Sequence, residues 1–270
     1  MSGAPPSLEG ARVFAQLRTQ RYGRSLDLRH VTDSTNDDAR QAALGGAPNG
    51  HVVVADAQRH GRGSQGRDWS SPHGEDLYLS IVDRPSVAFA ALPPLTLAVG
   101  LGVAEAVDAL RGDAGAAAPS RVKWPNDVQI DRKKCAGILI EATASGGGEL
   151  QSLVIGIGLN VNRTEFPSEL SALATSLRLQ HAQQRPLDRT AALCTLLDHV
   201  ERWVDRFAQE GAESVTRALA SRLALLGERA SCGEVRGIVR GVSPGGALRM
   251  ETEHGVREII AGRLLPDPLA

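Results

Sequence analysis

Apolar positions along this chain switch between helical and strand spacing, and the switches divide it into two unequal parts. Residues 8–22 carry a helical pattern, and Leu26-Asp27-Leu28-Arg29-His30-Val31 alternates as a strand. Asp33 or Ser34 can cap a helix running to about Leu44, where Gly45-Gly46 ends it. His51 to Ala55 and Leu77 to Val82 are short, Val- and Leu-rich strands. Pro93-Pro94 opens an apolar helix through Leu110 with no charge before Glu105, a pattern that predicts burial. Three further strands fall at Arg121–Trp124, Ala136–Ala142 and Leu150–Val161, the last two joined by a Ser145-Gly146-Gly147-Gly148 turn. After Pro186-Leu187-Asp188, the positions Leu193, Leu196, Leu197, Val200, Trp203, Val204 and Phe207 repeat at helical spacing, which is core packing. A second helix follows near 212–225. From 227 to 266 only short, glycine-punctuated strands remain, around Ser243-Pro244-Gly245-Gly246, as in a small barrel. The pattern places a boundary near Leu226, giving domains 1–226 and 227–270. Its scattered helices predict an α+β fold rather than a doubly wound sheet.

Composition narrows the function classes. The 270 residues are 42% hydrophobic and 23% charged, with a net charge of −1, so no basic stripe argues for nucleic acid. No apolar run approaches the roughly 20 residues of a membrane span, and the start, Met1-Ser2-Gly3-Ala4-Pro5-Pro6, has no export-signal pattern. Cys135, Cys194 and Cys232 are far apart and odd in number, and read as reduced thiols of a cytoplasmic protein.

The densest candidate chemistry lies between Asp56 and Trp69. Gly61, Gly63 and Gly66 let backbone N–H groups approach a ligand, and Arg62 and Arg67 add forked donors for carboxylate or phosphate. Gly61 to Gly66 also fits G-x-G-x-x-G, with Asp83 where a dinucleotide site wants an acid. That motif needs a helix after its glycines. Here Asp68-Trp69-Ser70-Ser71-Pro72-His73-Gly74 follows, so the nicotinamide-dehydrogenase reading fails.

Four other segments each admit two readings. Asp33-Ser34-Thr35-Asn36 is an N-cap or a set of ligand donors. In Val122-Lys123-Trp124-Pro125-Asn126-Asp127, the last two residues form a turn or present Mg²⁺ to a nucleotide. Lys134, at the mouth of the strand Ala136-Gly137-Ile138-Leu139, is solvated or points inward as a charge for anions. Gly156 and Gly158 weaken their strand unless something approaches it closely, such as a flat ligand.

Taken in order, Ser34-Thr35-Asn36, Gln58, Gly61-Arg62-Gly63, Gly66-Arg67-Asp68-Trp69, Leu77-Tyr78-Leu79-Ser80, Lys123-Trp124-Pro125-Asn126-Asp127, Lys134 with Ala136-Gly137-Ile138-Leu139, and Gly158-Leu159-Asn160 resemble biotin–protein ligase. The resemblance covers roughly residues 26–265. It implies a mixed-sheet catalytic domain related to class II aminoacyl-tRNA synthetases and lipoate ligases, followed by a small SH3-like barrel. It also implies ATP-dependent formation of biotinyl-5′-adenylate, with transfer to a lysine of the biotin carboxyl carrier domain of acetyl-CoA carboxylase.

The resemblance implies residue roles as well. Ser34, Thr35, Asn36, Gln58, Arg62, Gly63, Ser64 and Lys134 fall where the family binds biotin, with Gly137 and Gly158 leaving room beside it. Arg67, Trp69, Asn126 and Asn160 fall on the nucleotide side. Lys134, Arg62 and Asp127 would carry the chemistry, Asp127 by holding Mg²⁺. Many members read Gly-Arg-Gly-Arg-Arg-Gly-Arg, whereas this chain has Ser64 and Gln65 in place of the two central arginines. The first of those is associated with keeping the adenylate in place. With about 25 residues before the first strand, a monofunctional ligase without a DNA-binding module is expected. The resemblance leaves a homodimer open. A lipoate ligase shares the fold, but would need an apolar tunnel in place of the polar Ser34-Thr35-Asn36 cluster.

Overall fold

Strand-forming segments from the first 159 residues assemble into one seven-stranded sheet. The computed structural model describes residues 8–85, 87–112, 118–144, 150–181 and 184–267. In chain order the elements are α1 (Gly10–Gln16), β1 (Leu26–Thr32), α2 (Thr35–Leu44), β2 (Val52–Gln58), β3 (Leu77–Asp83), α3 (Leu92–Arg111), β4 (Arg121–Lys123), β5 (Asp127–Ile130), β6 (Lys133–Ala144) and β7 (Leu150–Leu159). The single turn α4 (Leu177–Gln180) and helices α5 (Arg189–Glu210) and α6 (Ala212–Arg222) follow. The chain closes with β8 (Arg229–Cys232), β9 (Val235–Val242), β10 (Leu248–Thr252), β11 (Gly255–Ile259) and β12 (Leu264–Pro266).

The first sheet runs β1-β2-β3-β7-β6-β5-β4 and is mixed, because β1 and β2 pair in parallel while every other neighbour is antiparallel. Helices scattered among these strands make the molecule α+β, as the sequence pattern predicts. One face carries the main core with α3 and α5, built on Leu79, Ile81, Ile155 and Ile157. On the other face α2 covers a small patch of Ala39, Val53, Val82 and Val154. Pairing across the centre of the sheet sets Ser80 and Leu139 beside Gly156, and Tyr78 and Gly137 beside Gly158. Since successive side chains alternate between faces, the two glycines of β7 lie on the α2 side.

Five strands form the second sheet, in the order β11-β10-β9-β8-β12. Its buried Ala230, Cys232, Val239, Leu248, Met250 and Leu264 belong to the same continuous core as the first sheet. Trp124, 2% exposed, donates its indole N–H to Gly246 O at 2.9 Å, fastening the β9–β10 turn beneath β4.

Several elements differ from the sequence pattern. The helix expected over 8–22 stops at Gln16, because the buried carboxylate of Glu201 draws the next segment away from helical pairing. Its oxygens accept from the backbone N–H groups of Gln20, Arg21 and Tyr22 at 2.6, 2.9 and 2.6 Å. A fourth central strand, β5, was not foreseen. Its turn to β6 runs through Asp131 and Arg132, both at positive φ (47° and 66°), with neither glycine nor asparagine to mark it. The helix expected to reach 225 ends at Arg222, where Ala224 N–H turns to Val122 O at 2.9 Å. The Ser145–Gly148 turn lies outside the described residues. Contrary to the composition argument, the helical stretch Phe89–Arg111 is long and apolar enough to cross a bilayer, with mean hydropathy 1.6. Here 67% of its most apolar window is buried inside the protein.

Candidate active site

The start of α2 places three polar residues over the glycines of β7. Ser34 precedes the helix, yet its side chain makes no capping bond, so the hydroxyl is not committed to the backbone. Thr35 donates from N and Oγ1 to Gln58 Oε1 at 2.9 and 3.1 Å, and Gln58 Nε2 donates to Ser71 Oγ at 2.9 Å. Ser80 Oγ lies 2.8 Å from Thr35 Oγ1 and 2.6 Å from Asn36 Oδ1. Asn36 Nδ2 donates to Glu141 Oε2 at 2.7 Å. Thr35, Asn36, Gln58 and Ser80 are each held by another of these groups, which fixes the rotamers of a polar pocket.

The glycines of β7 are closely approached by other side chains of the chain. A Cβ at Gly156 would lie 2.1 Å from Asn36 Oδ1, and one at Gly158 would lie 2.4 Å from the Trp69 indole. Trp69 and the end of Lys134 also crowd Gly137, at 2.8 and 3.0 Å. The protein's own Trp69 and Lys134 therefore stand close to Gly137 and Gly158, and Asn36 to Gly156, where these glycines line the first cleft. Gly156→Ala should displace the Asn36 side chain and cost about 1–3 kcal/mol through overpacking. Chemical denaturation checks it.

Two clefts meet at this point, enclosing about 430 and 1490 Å³ with the solvent at their mouths. Ser34, Thr35, Asn36, Gln58, Arg62, Gly63, Ser64, Lys134, Gly137 and Gly158 all line the first. Arg67, Trp69, Asn126, Asp127 and Asn160 all line the second. Gly63, Ser64, Trp69, Asn126 and Lys134 line both, so Trp69 and Asn126 form the partition instead of belonging to one side. Arg62, Lys134 and Asp127 are thus joined through Lys134, whose Nζ stands 2.6 Å from Asp127 Oδ1 and 4.9 Å from the centre of the Trp69 ring. The register explains this, since Asp127 pairs with Gly137 and Gln129 with Lys134 across β5 and β6. Asn126 and Asn160 spend their amide N–H groups on backbone, on Ile138 O at 2.6 Å and Thr175 O at 2.9 Å.

The clefts differ in charge. Arg67, Lys123, Arg132, Lys134, Arg163 and Arg263 line the second, against only Asp68 and Asp127. Six cations and two carboxylates suit a polyanion. Burial, followed by repulsion from Arg263, Lys134 and Arg67, lowers the Lys123 pKa against the pull of Asp127. In the first cleft, Arg62 is held by two carboxylates, Asp37 Oδ1 at 2.9 Å and Glu141 Oε2 at 2.8 Å.

Sequence reasoning missed Glu141, Asp37, Lys123, the buried Ser80 that holds Thr35 and Asn36, and the Asp76–Arg163 pair. Arg163 Nε lies 2.9 Å from Asp76 Oδ2, both essentially buried, and one of its terminal nitrogens donates to Ser70 O at 2.8 Å. That pair ties the segment after the glycine-arginine loop to the end of β7. Asp76 pKa is raised by burial, offset in part by Arg163 and by backbone donors at Val161 and Arg163. Glu141 was within reach of inspection, since it lies two residues beyond Leu139 on the same strand face. The Asp76–Arg163 contact, 87 residues apart, left no local signal.

A small polar pocket opening through a single lysine into a cationic cleft defines a site for joining a small acid to a phosphorylated partner. A sequence model of the Biotin/lipoate A/B protein ligase family matches residues 28–160. The chain is similar to the bifunctional ligase/repressor BirA of Bacillus spizizenii, with 32% identity over 94% of this chain and 78% of that one. It is likewise similar to the biotin–[acetyl-CoA-carboxylase] ligase of Paracoccus denitrificans, 32% identical over 85% of this chain and 95% of that one. Among solved structures, the biotin protein ligase of Aquifex aeolicus in complex with biotin and ATP superposes with a TM-score of 0.77 at 31% identity, covering 89% and 97% of the two chains. The chain belongs to the biotin–protein ligase family.

Proposed function

We propose that this protein activates biotin with ATP and transfers it to a lysine of the biotin carboxyl carrier domain of acetyl-CoA carboxylase. The observation that carries this reading is Lys134, standing on the wall shared by the polar pocket and the cationic cleft. Biotin occupies the first cleft, with its ureido ring among Ser34, Thr35, Asn36 and Gln58. ATP occupies the second, where the six cations offset its phosphates. One carboxylate oxygen attacks the α-phosphorus, pyrophosphate leaves, and biotinyl-5′-adenylate remains across the partition. The acceptor amine then attacks the acyl carbon, AMP departs, and an amide forms.

Bringing an anion to a polyanion is the difficulty, so the contribution of the protein is positioning and charge. Lys134 neutralises the carboxylate and α-phosphate as they meet. Arg62 supplies a second positive charge, which the incoming carboxylate shares with Asp37 and Glu141. Asp127, with Asp68 across the cleft, fits Mg²⁺, which takes one or two carboxylates and otherwise phosphate oxygens. Bound there, the ion would neutralise phosphate charge. We assign catalysis to residues 1–226, as a relative of class II aminoacyl-tRNA synthetases and lipoate ligases. Residues 227–267 form an SH3-like barrel that walls the nucleotide cleft through Gly262–Pro266. Reduced, buried cysteines fit a cytoplasmic enzyme.

Incubating the purified protein with ATP and labelled biotin or lipoate tests the reading. Biotinyl-adenylate and a biotinylated carrier domain are expected, and lipoyl-adenylate alone would overturn it.

A second measurement concerns Ser64. Arg67 folds over it, its guanidinium reaching Ser64 O and Oγ at 3.2 Å each, while Arg59 faces Asp33 at 3.5 Å. Arg67 therefore stands in part for the missing arginine. Ser64→Arg should slow adenylate release by roughly tenfold, the worth of one charge-assisted hydrogen bond in an exposed loop. A pulse–chase of labelled adenylate measures this, and equal release rates would separate retention from that position.

A further inference from the structure

Beside Arg189 of α5, three metal-binding side chains converge from three parts of the chain. His30 comes from β1, Asp56 from β2 and His73 from the segment between Trp69 and β3. One ligand atom from each lies within 4.8 Å of both others. Nothing in the ligation reaction uses them, and among the described residues this is the one such cluster of His, Cys, Asp and Glu side chains.

The cluster is pre-shaped. Asp56 is 7% exposed, and its Oδ1 is held at 2.7 Å by the buried guanidinium of Arg189. That leaves Oδ2 facing His30 Nδ1 at 3.6 Å. A ligating carboxylate whose second oxygen is fixed by a neighbouring donor is the common outer arrangement of metal sites. His73 is placed from both sides: Tyr78 Oη donates to Pro72 O at 3.0 Å, and Gly74 N–H donates to Asp56 O at 3.0 Å. The two imidazoles are exposed, so small side-chain rotations draw three donors onto one ion without moving the backbone.

We propose that His30, Asp56 and His73 bind a divalent transition-metal ion of the zinc type, distinct from the magnesium that accompanies the nucleotide. Two imidazoles and one carboxylate are borderline ligands that suit zinc, cobalt or nickel, whereas magnesium takes oxygen ligands and retains its waters. Three protein ligands with an open position match the donor number of an accessible zinc centre. The ion would cross-link β1 and β2 to residues 70–74. Ser71, two residues before His73, is the hydroxyl that receives Gln58 Nε2 in the small-acid pocket. Occupancy would therefore stiffen one wall of that pocket.

The test is a titration of chelator-treated protein with Co²⁺, without nucleotide and with millimolar Mg²⁺ present, followed through the visible absorption of protein-bound cobalt. One ion per chain is expected, displaced by Zn²⁺ and unaffected by Mg²⁺, with slower amide exchange across Ser70–Gly74 on loading. His73→Ala should weaken uptake by about 10²-fold, at the upper end of what disturbing even an outer partner costs. His254→Ala, on the distant β10–β11 hairpin, should leave uptake unchanged. Both histidines of the cluster are exposed, so circular dichroism of the variants will show an intact fold. Failure to take up Co²⁺, or equal uptake by the His30→Ala/His73→Ala double variant, overturns the assignment.

Discussion

Lys134→Ala should slow biotinyl-adenylate formation by about 10²- to 10³-fold, the usual cost of one preorganised electrostatic donor. The geometry gives the reason: Nζ is the cationic group common to the walls of both clefts, and no other positive side chain lines the two together. Arg62 reaches only the first cleft, and Lys123, Arg67 and Arg263 only the second. Removing Lys134 also leaves Asp127 without its 2.6 Å partner, so a free carboxylate would repel the approaching reactants. Lys134→Arg should recover little, because the planar guanidinium cannot reproduce the compact ammonium that sits 2.6 Å from Asp127 and over the Trp69 ring. Pyrophosphate release under single-turnover conditions reads the first half-reaction directly. Transfer from chemically supplied biotinyl-adenylate should fall much less. A variant that adenylates at near-normal rates would remove Lys134 from the mechanism.

Arg163→Met should destabilise the protein by about 3–5 kcal/mol, the cost of leaving a buried charge without its partner. Asp76 is fully buried and opposes Arg163 at 2.9 Å. Its second oxygen accepts from Val161 N at 2.8 Å, so it cannot turn towards water. The loss should depend on pH. Burial already raises the Asp76 pKa above its unfolded value, and Arg163 is the leading influence that lowers it. Without the arginine that pKa rises further, so the folded state binds a proton more readily than the unfolded one. Stability of the variant relative to wild type then improves as the pH falls through the raised pKa and is poorest at neutrality. Urea denaturation at pH 5 and pH 7.5 checks this, and a deficit independent of pH would show that Asp76 is not the group left exposed. Residues 70–72 should also loosen, since Arg163 donates to Ser70 O.

What could be read from the sequence divides along the range of the interactions. Elements governed by local periodicity, such as α3 and β3, fall within a residue of their expected limits, and α5 begins directly after the expected Pro186-Leu187-Asp188. The start of α2 also falls where expected, although Ser34 makes no side-chain capping bond there. Helix α1 was overextended because its end is decided by Glu201, about 180 residues away. Strand β5 was hidden because its turn residues adopt positive φ without the usual residue types. The site behaves in the same way. Glycine-arginine loop and Lys-Trp-Pro-Asn-Asp segment are contiguous, and their side chains do converge. The partners that hold the site, Glu141, Asp37, Ser80 and Arg163, come from other elements of the fold and carry no mark of their own. The glycines of β7 were recognised as points of close approach, but the approaching groups are Asn36 and Trp69 of the same chain.

The indole of Trp124 clasps Gly246, and the last strand lends Gly262 to Pro266 to the larger cleft. A truncated chain ending before the second sheet would therefore lose more than an appendage. It would strip one side from the cationic cleft and uncover the tryptophan that anchors the Asn126-Asp127 corner. The two halves, though separable by eye, are mechanically one enzyme.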